Sequence, residues 1–121
     1  MLAYHFIWCP KYRKSILNRQ EIAAIAREAI TNKVAELGCD LIALEIMPDH
    51  VHLSLSAPPR MSPAELAGKI KSKAGSDLAI HFPELCKKGS VWSHSYFCAT
   101  TGAVSTEVIQ HYIETQWNKI K

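Results

Sequence analysis

The chain has 121 residues, 48% of them hydrophobic and 21% charged, and carries a formal net charge of +3. That length supports one core and excludes a second sizeable domain, and the composition is too apolar for global disorder. No apolar run reaches the roughly 20 residues needed to span a bilayer, and the N-terminus lacks the basic lead and small-residue cleavage site of an export signal. A single cytoplasmic domain over residues 1–121, with no membrane partner, is therefore expected.

Residues 3–9 (AYHFIWC) are aromatic and β-branched and end at Pro10, which predicts a first strand. A basic loop follows, holding Lys11, Arg13 and Lys14 with Arg19 beyond it. Asn18 with Glu21 three residues on resembles a capping box, and Ile22, Ile25, Ala26, Ala29 and Ile30 recur at helical spacing up to Gly38. Residues 39–47 (CDLIALEIM) read as a second strand, "PDH" as a turn, and about 51–57 as a third strand closed by Pro58-Pro59.

Ser62-Pro63-Ala64-Glu65 is a helix start, with a serine cap, proline at the first helical position and glutamate at the third. That helix is expected to run to about Phe82. Residues 91–99 (VWSHSYFCA) read as a fourth strand, and a last helix is expected over about 105–121. The order β-α-β-β-α-β plus a terminal helix predicts an α+β, ferredoxin-like (RRM-like) sandwich: an antiparallel sheet with two helices on one face and strands one and three central. The cysteines Cys9, Cys39, Cys86 and Cys98 form no C-x-x-C pair and are expected as free thiols in a reducing compartment. Lys11, Arg13, Lys14 and Arg19, then Lys69, Lys71 and Lys73, then Lys87 and Lys88, cluster in a way that admits a polyanion as partner.

Two constellations could carry chemistry. Along the third strand Val51, Leu53 and Leu55 alternate with His50, His52, Ser54 and Ser56, giving one apolar and one polar face. His50 and His52 then project from the polar face, about 7 Å apart. Two imidazoles on one rigid strand form half of a metal site, or else simply a wet sheet face. On the last helix Ile109, Ile113, Trp117 and Ile120 form an apolar stripe, with Val108, Tyr112 and Gln116 as a second row beside it. Tyr112 and Gln116 share a face one turn apart. They could supply a nucleophile and an amide ligand, or could merely border the stripe.

"MPDHVHL" on a central strand, "YIETQ" on the last helix, "YHFIWCPKYRK" at the start and "VWSHSYFCATTG" before the final helix together resemble the single-tyrosine HUH transposases of small bacterial and archaeal insertion sequences. This is the TnpA-like superfamily that includes the REP-associated tyrosine transposases. The resemblance covers nearly the whole chain in the right order. It implies that His50 and His52 are metal ligands with Gln116 as the third, that Tyr112 is the nucleophile, and that the ion is Mg²⁺ or Mn²⁺. It implies cleavage and rejoining of single-stranded DNA through a covalent 5′-phosphotyrosine, recognition of imperfect hairpins at element ends, and a homodimer in which the tyrosine helix of one subunit reaches the metal site of the other. Lys11, Tyr12, Arg13, Lys14, Lys69 and Lys73 are the candidates for holding the DNA.

Two other functions fit parts of the pattern. A non-catalytic RRM-like or domesticated nucleic-acid-binding module would use the same sandwich, but such readers place aromatics on the open sheet face, where this central strand offers histidines. A small zinc hydrolase could use His50 and His52, but the sequence has no third ligand at H-E-x-x-H spacing.

Overall fold

The computed structural model describes residues 1–87, 89–100 and 111–115. Four strands, β1 (Leu2–Trp8), β2 (Asp40–Met47), β3 (His50–Ala57) and β4 (Phe97–Thr100), form one sheet in the order β2-β3-β1-β4. Every pairing is antiparallel, so β1 and β3 are central as expected. Two helices, α1 (Gln20–Glu36) and α2 (Pro63–His81), connect β1 to β2 and β3 to β4. Among the described residues no helix is long and apolar enough to cross a membrane.

Strand alternation decides which sheet face the helices cover. Phe6 and Trp8 on β1 and Val51, Leu53 and Leu55 on β3 are fully buried, in one cluster with Ile22, Ala26 and Ile30 of α1 and Leu66, Ile70, Ala74 and Leu78 of α2. Spacings of three and four on each helix meet the period-two face of the sheet. The complementary residues His50 and His52 are thereby turned to the other face.

The helix boundaries follow local chemistry, with one difference from expectation. Ser62 caps α2 through Glu65 N–H at 3.1 Å with Pro63 at the first position, and Gly38, at φ 76°, ends α1 in the left-handed conformation. Asn18, however, does not cap α1. It closes a 3₁₀ turn (Ile16–Asn18) that buries Leu17, the cap position passes to Arg19, and Glu21 pairs with Arg19 at 2.8 Å.

The fourth strand is also shorter than its composition predicts, because residues 91–96 plug the core from a loop. Val91 and Trp92 are buried, and Trp92 stands edge-on to Trp8 at 6.0 Å. Gly75 admits the indole, since a Cβ there would lie 3.2 Å from it. An isolated bridge between Pro10 and Trp92 holds one side of this loop, with Ser93 N–H donating to the Cys9 carbonyl at 3.0 Å and Lys11 N–H to the Val91 carbonyl at 2.9 Å, and α2 holds the other. Trp92 Nε1 donates to the Lys71 carbonyl at 2.9 Å, and Lys71 Nζ donates to the carbonyls of Ser93 at 2.9 Å and Ser95 at 3.1 Å. Burial pushes the Lys71 ammonium below the ordinary lysine value, with Cys9 opposing. Replacing Lys71 by Met keeps the packing of the stem and removes both bonds. We expect a loss of about 1–3 kcal/mol in urea unfolding and faster amide exchange confined to residues 91–96. Unchanged exchange there would remove Lys71 from this role.

Candidate functional site

His50 and His52 sit at the start of central strand β3, immediately after the Pro48-Asp49 turn. The turn is tied to the chain before α1 by Leu17 N–H donating to the Pro48 carbonyl at 3.1 Å. His50 Nδ1 lies 3.0 Å from Asp49 Oδ1, and Asp49 Oδ2 lies 3.4 Å from Arg13 Nε. An ionised carboxylate only accepts, so Nδ1 is the donor in this contact.

The second histidine has a different partner. His52 pairs across the sheet with Ile7, and His5, two residues earlier on β1, pairs with Ser54. His5 Nδ1 is 2.8 Å from Ser54 Oγ and 3.3 Å from His52 Nε2. His5 was not singled out from sequence. The alternation of β1 places it on the face of Ile7, but its nearness to His52 depends on a strand register that composition does not encode. Burial holds the His52 imidazole below its ordinary pKa; Glu45, its partner on β2, acts in the opposite direction, and His5 and His50 lower the pKa further. A neutral ring is the form that binds a metal.

These donors fit a divalent ion. Two imidazoles share one face of a rigid strand, one with its outer nitrogen held by a carboxylate, as metal-binding histidines usually are. Among the described residues no group of three His, Cys, Asp or Glu is arranged to hold an ion unaided. Gln116, the third ligand that the resemblance implies, lies outside the described residues.

Residues 111–115 are helical, with Tyr112 half-buried and Ile113 buried. The Tyr112 ring packs on Phe97, with centroids 6.0 Å apart, and its hydroxyl lies 3.4 Å from Ser95 Oγ. Burial pushes the phenol up to about 12; the Ser95 hydroxyl opposes that and Cys9 adds to it. Phe97 pairs with Ile7, and Ile7 pairs with His52, so the three residues form one row across the sheet. Tyr112 thus stands on the histidine side, over a residue two strand spacings, or about 10 Å, from His52.

The basic residues fall in two groups, one in the turn after β1 and one on α2. Residues 10–13 form a tight turn closed by Arg13 N–H on the Pro10 carbonyl, and the Lys11 and Lys14 ammonium groups each lie 5.9 Å from the centre of the Tyr12 ring. The contact between Arg13 and Asp49 joins this turn to the histidine strand. Lys69 and Lys73 are on α2, in the helix layer behind the sheet, paired with Glu65 at 3.5 Å and Asp77 at 3.0 Å. A cleft of about 560 Å³ between α2 and residues 89–96 is lined by Lys71, Trp92 and Tyr96 and by none of His50, His52 or Tyr112. All four cysteines are free.

Comparison with known proteins accords with this geometry. The family described as "Transposase IS200 like" matches residues 1–116. The chain is 36% identical over 121 residues to the ISDra2 transposase TnpA of Deinococcus radiodurans, covering 98% of this chain and 86% of that protein. It is 30% identical over 122 residues to the transposase for insertion sequence element IS200 of Salmonella typhimurium, covering 98% and 78%. A crystal structure from Deinococcus radiodurans R1, described as a transposase, superposes with a TM-score of 0.88 at 34% identity, covering 95% of this chain and 90% of that one. A REP-associated tyrosine transposase bound to a REP hairpin shares the fold, with a TM-score of 0.60 at 16% identity over 93% of this chain and 62% of that one.

Proposed function

Because the chain belongs to the IS200-like transposase family, we propose that it cleaves and rejoins single-stranded DNA at insertion-sequence ends, with Tyr112 as nucleophile. The observation that supports this is the single row of His52, Ile7 and Phe97 beneath Tyr112, with the His50–His52 pair and a phenol on one sheet face.

His50 and His52, with Gln116 as the family's third ligand, would hold Mg²⁺ or Mn²⁺. The bound ion supplies charge withdrawal at the scissile phosphate and its alignment for in-line attack. Two imidazoles and an amide favour Mn²⁺ on ligand softness. Tyr112 Oη attacks the phosphorus: a Tyr–O–P bond forms, the P–O3′ bond breaks, and the departing 3′ oxygen takes a proton. The 5′-phosphotyrosine keeps the energy of the phosphodiester, so a DNA 3′-hydroxyl reverses the step and rejoins strands without a nucleotide cofactor. Because its pKa is pushed up to about 12, the phenol is protonated at rest and must lose its proton as it engages DNA.

Lys11, Tyr12, Arg13 and Lys14 would hold the DNA, with stacking on Tyr12 and phosphate contacts from the cations; the contact of Arg13 with Asp49 supports this by joining their turn to the histidine strand. Lys69 and Lys73 would extend that grip on the helix layer. A hairpin as ligand is supported by the REP hairpin bound to the fold neighbour. The distance of about 10 Å between the strand under Tyr112 and that of His52 supports a homodimer in which each tyrosine serves the partner's site. The strand order 2-3-1-4 with two helices supports the ferredoxin-like reading, and a cytoplasmic location suits a DNA-acting enzyme with free thiols.

Incubation with a single-stranded hairpin bearing an element end, in Mn²⁺, should give a protein–DNA adduct stable in SDS. The same sequence as full duplex, or addition of EDTA, should give none. Hairpin binding without any adduct would instead make the protein a non-catalytic binding module.

A further inference from the structure

We infer that Asp49 and Arg13 are positioning residues for the metal site: Asp49 fixes the His50 ring, and Arg13 fixes Asp49. The basic turn after β1 then serves the ion as well as the DNA. This rests on the reading of His50 and His52 as metal ligands.

The contacts form a continuous chain. His50 Nδ1 donates to Asp49 Oδ1 at 3.0 Å, and Arg13 Nε reaches the other carboxylate oxygen at 3.4 Å. The three side chains are sheltered, at 15% exposure for His50 and 28% each for Asp49 and Arg13, so solvent screens them less than an open surface pair. Adjacent residues in a regular strand point to opposite faces. Asp49 reaches its neighbour's ring only because it stands in the turn before β3. The turn is itself pinned through the Pro48 carbonyl.

The backbone at Arg13 is the second observation. Tyr12 and Arg13 have φ of 62° and 48°, two consecutive left-handed residues with side chains. Residues with side chains rarely adopt this conformation, and it persists where surrounding contacts over-determine it. Here Arg13 N–H donates to the Pro10 carbonyl and Lys11 N–H to the Val91 carbonyl, both at 2.9 Å, and the guanidinium meets Asp49.

The chemical consequence concerns one atom. With Nδ1 committed to Asp49, His50 offers Nε2 alone, in one ring orientation. Without the carboxylate the ring can rotate and place its proton on either nitrogen, and an ion must then select the competent arrangement. Arg13 also neutralises Asp49, which keeps the carboxylate on the ring and from competing with it as a ligand.

The test is Mn²⁺ affinity of the full chain without DNA, measured by electron paramagnetic resonance. Asp49→Ala should weaken binding roughly 10- to 100-fold, and Asp49→Asn, which keeps an acceptor oxygen, should recover part of that loss. Arg13→Ala should weaken it less, and the Arg13→Ala/Asp49→Ala double variant should bind no worse than Asp49→Ala, because Arg13 acts through Asp49. Metal-free hairpin affinity of Asp49→Ala should not fall. Mn²⁺ affinity of both Asp49 variants equal to that of the unaltered chain would overturn the inference, and additive losses in the double variant would remove Arg13 from it. A His50→Ala/His52→Ala variant that still binds Mn²⁺ normally would instead sink the metal-site reading itself.

Discussion

Tyr112→Phe should abolish the covalent protein–DNA adduct and reduce strand cleavage by roughly 10⁴-fold or more, as loss of a catalytic nucleophile does. The substitution is conservative for the fold. The ring keeps its packing on Phe97 and its neighbour Ile113 stays buried, while among the described residues the hydroxyl loses the 3.4 Å contact to Ser95. Such a contact contributes about 1 kcal/mol or less, so urea unfolding should be nearly unchanged and the loss can be read as chemistry. With the phenol pushed up to about 12, only roughly one molecule in 10⁴–10⁵ is ionised near neutral pH. SDS gels of hairpin reactions decide the matter: an adduct formed by Tyr112→Phe removes this residue as nucleophile. Cleavage persisting without an adduct points to water as the attacking group, and so to metal-assisted hydrolysis.

Much of the scaffold is legible because it rests on local chemistry. The alternation of Val51, Leu53 and Leu55 with His50 and His52 carries the face assignment, and Ser62-Pro63 and Gly38 set helix ends through groups within a few residues of them. The misreadings occur where long-range contacts override local preference. Residues 91–96 have strand composition, yet Trp92 is worth more as a plug against Trp8, and Lys71, some twenty residues earlier, satisfies the carbonyls that a ladder would have used. Asn18 has the chemistry of a cap, but burial of Leu17 draws it into a 3₁₀ turn.

The site divides in the same way. His50 and His52 on β3, and Tyr112 on the last helix, stand out as candidates because spacing within each element is the signal. Their partners do not. His5 meets His52 only through the β1–β3 register, and Asp49 reads from sequence as a turn residue until Arg13 is brought to it by two left-handed backbone positions. Lys69, Lys71 and Lys73 read as one cluster, but the helix separates them. Two pair with acidic residues on α2 and the third turns inward to the loop.

His50→Ala and His52→Ala should each reduce cleavage roughly 10³-fold or more while leaving hairpin binding intact, because the two rings act in the chemical step and not in the grip on DNA. The reason lies in the layout. The cations and Tyr12 that would hold the strand belong to the turn after β1, whereas the imidazoles stand on β3 and face the row that ends under Tyr112. Removing either ring leaves fewer donors than an ion needs, so the double variant should be little worse than either single one, the non-additivity expected of groups that act as a unit. Both rings are partly buried, His50 bonded to Asp49 at the start of the strand and His52 against His5. A Gln at position 52, which restores polar contact with His5 but supplies no imidazole, should recover the stability that His52→Ala loses without recovering cleavage. Cleavage rates on a labelled hairpin, with binding measured in parallel by anisotropy, check both parts. Cleavage retained in either Ala variant would take that histidine out of the site, and parallel loss of binding and cleavage would make the pair part of the DNA grip.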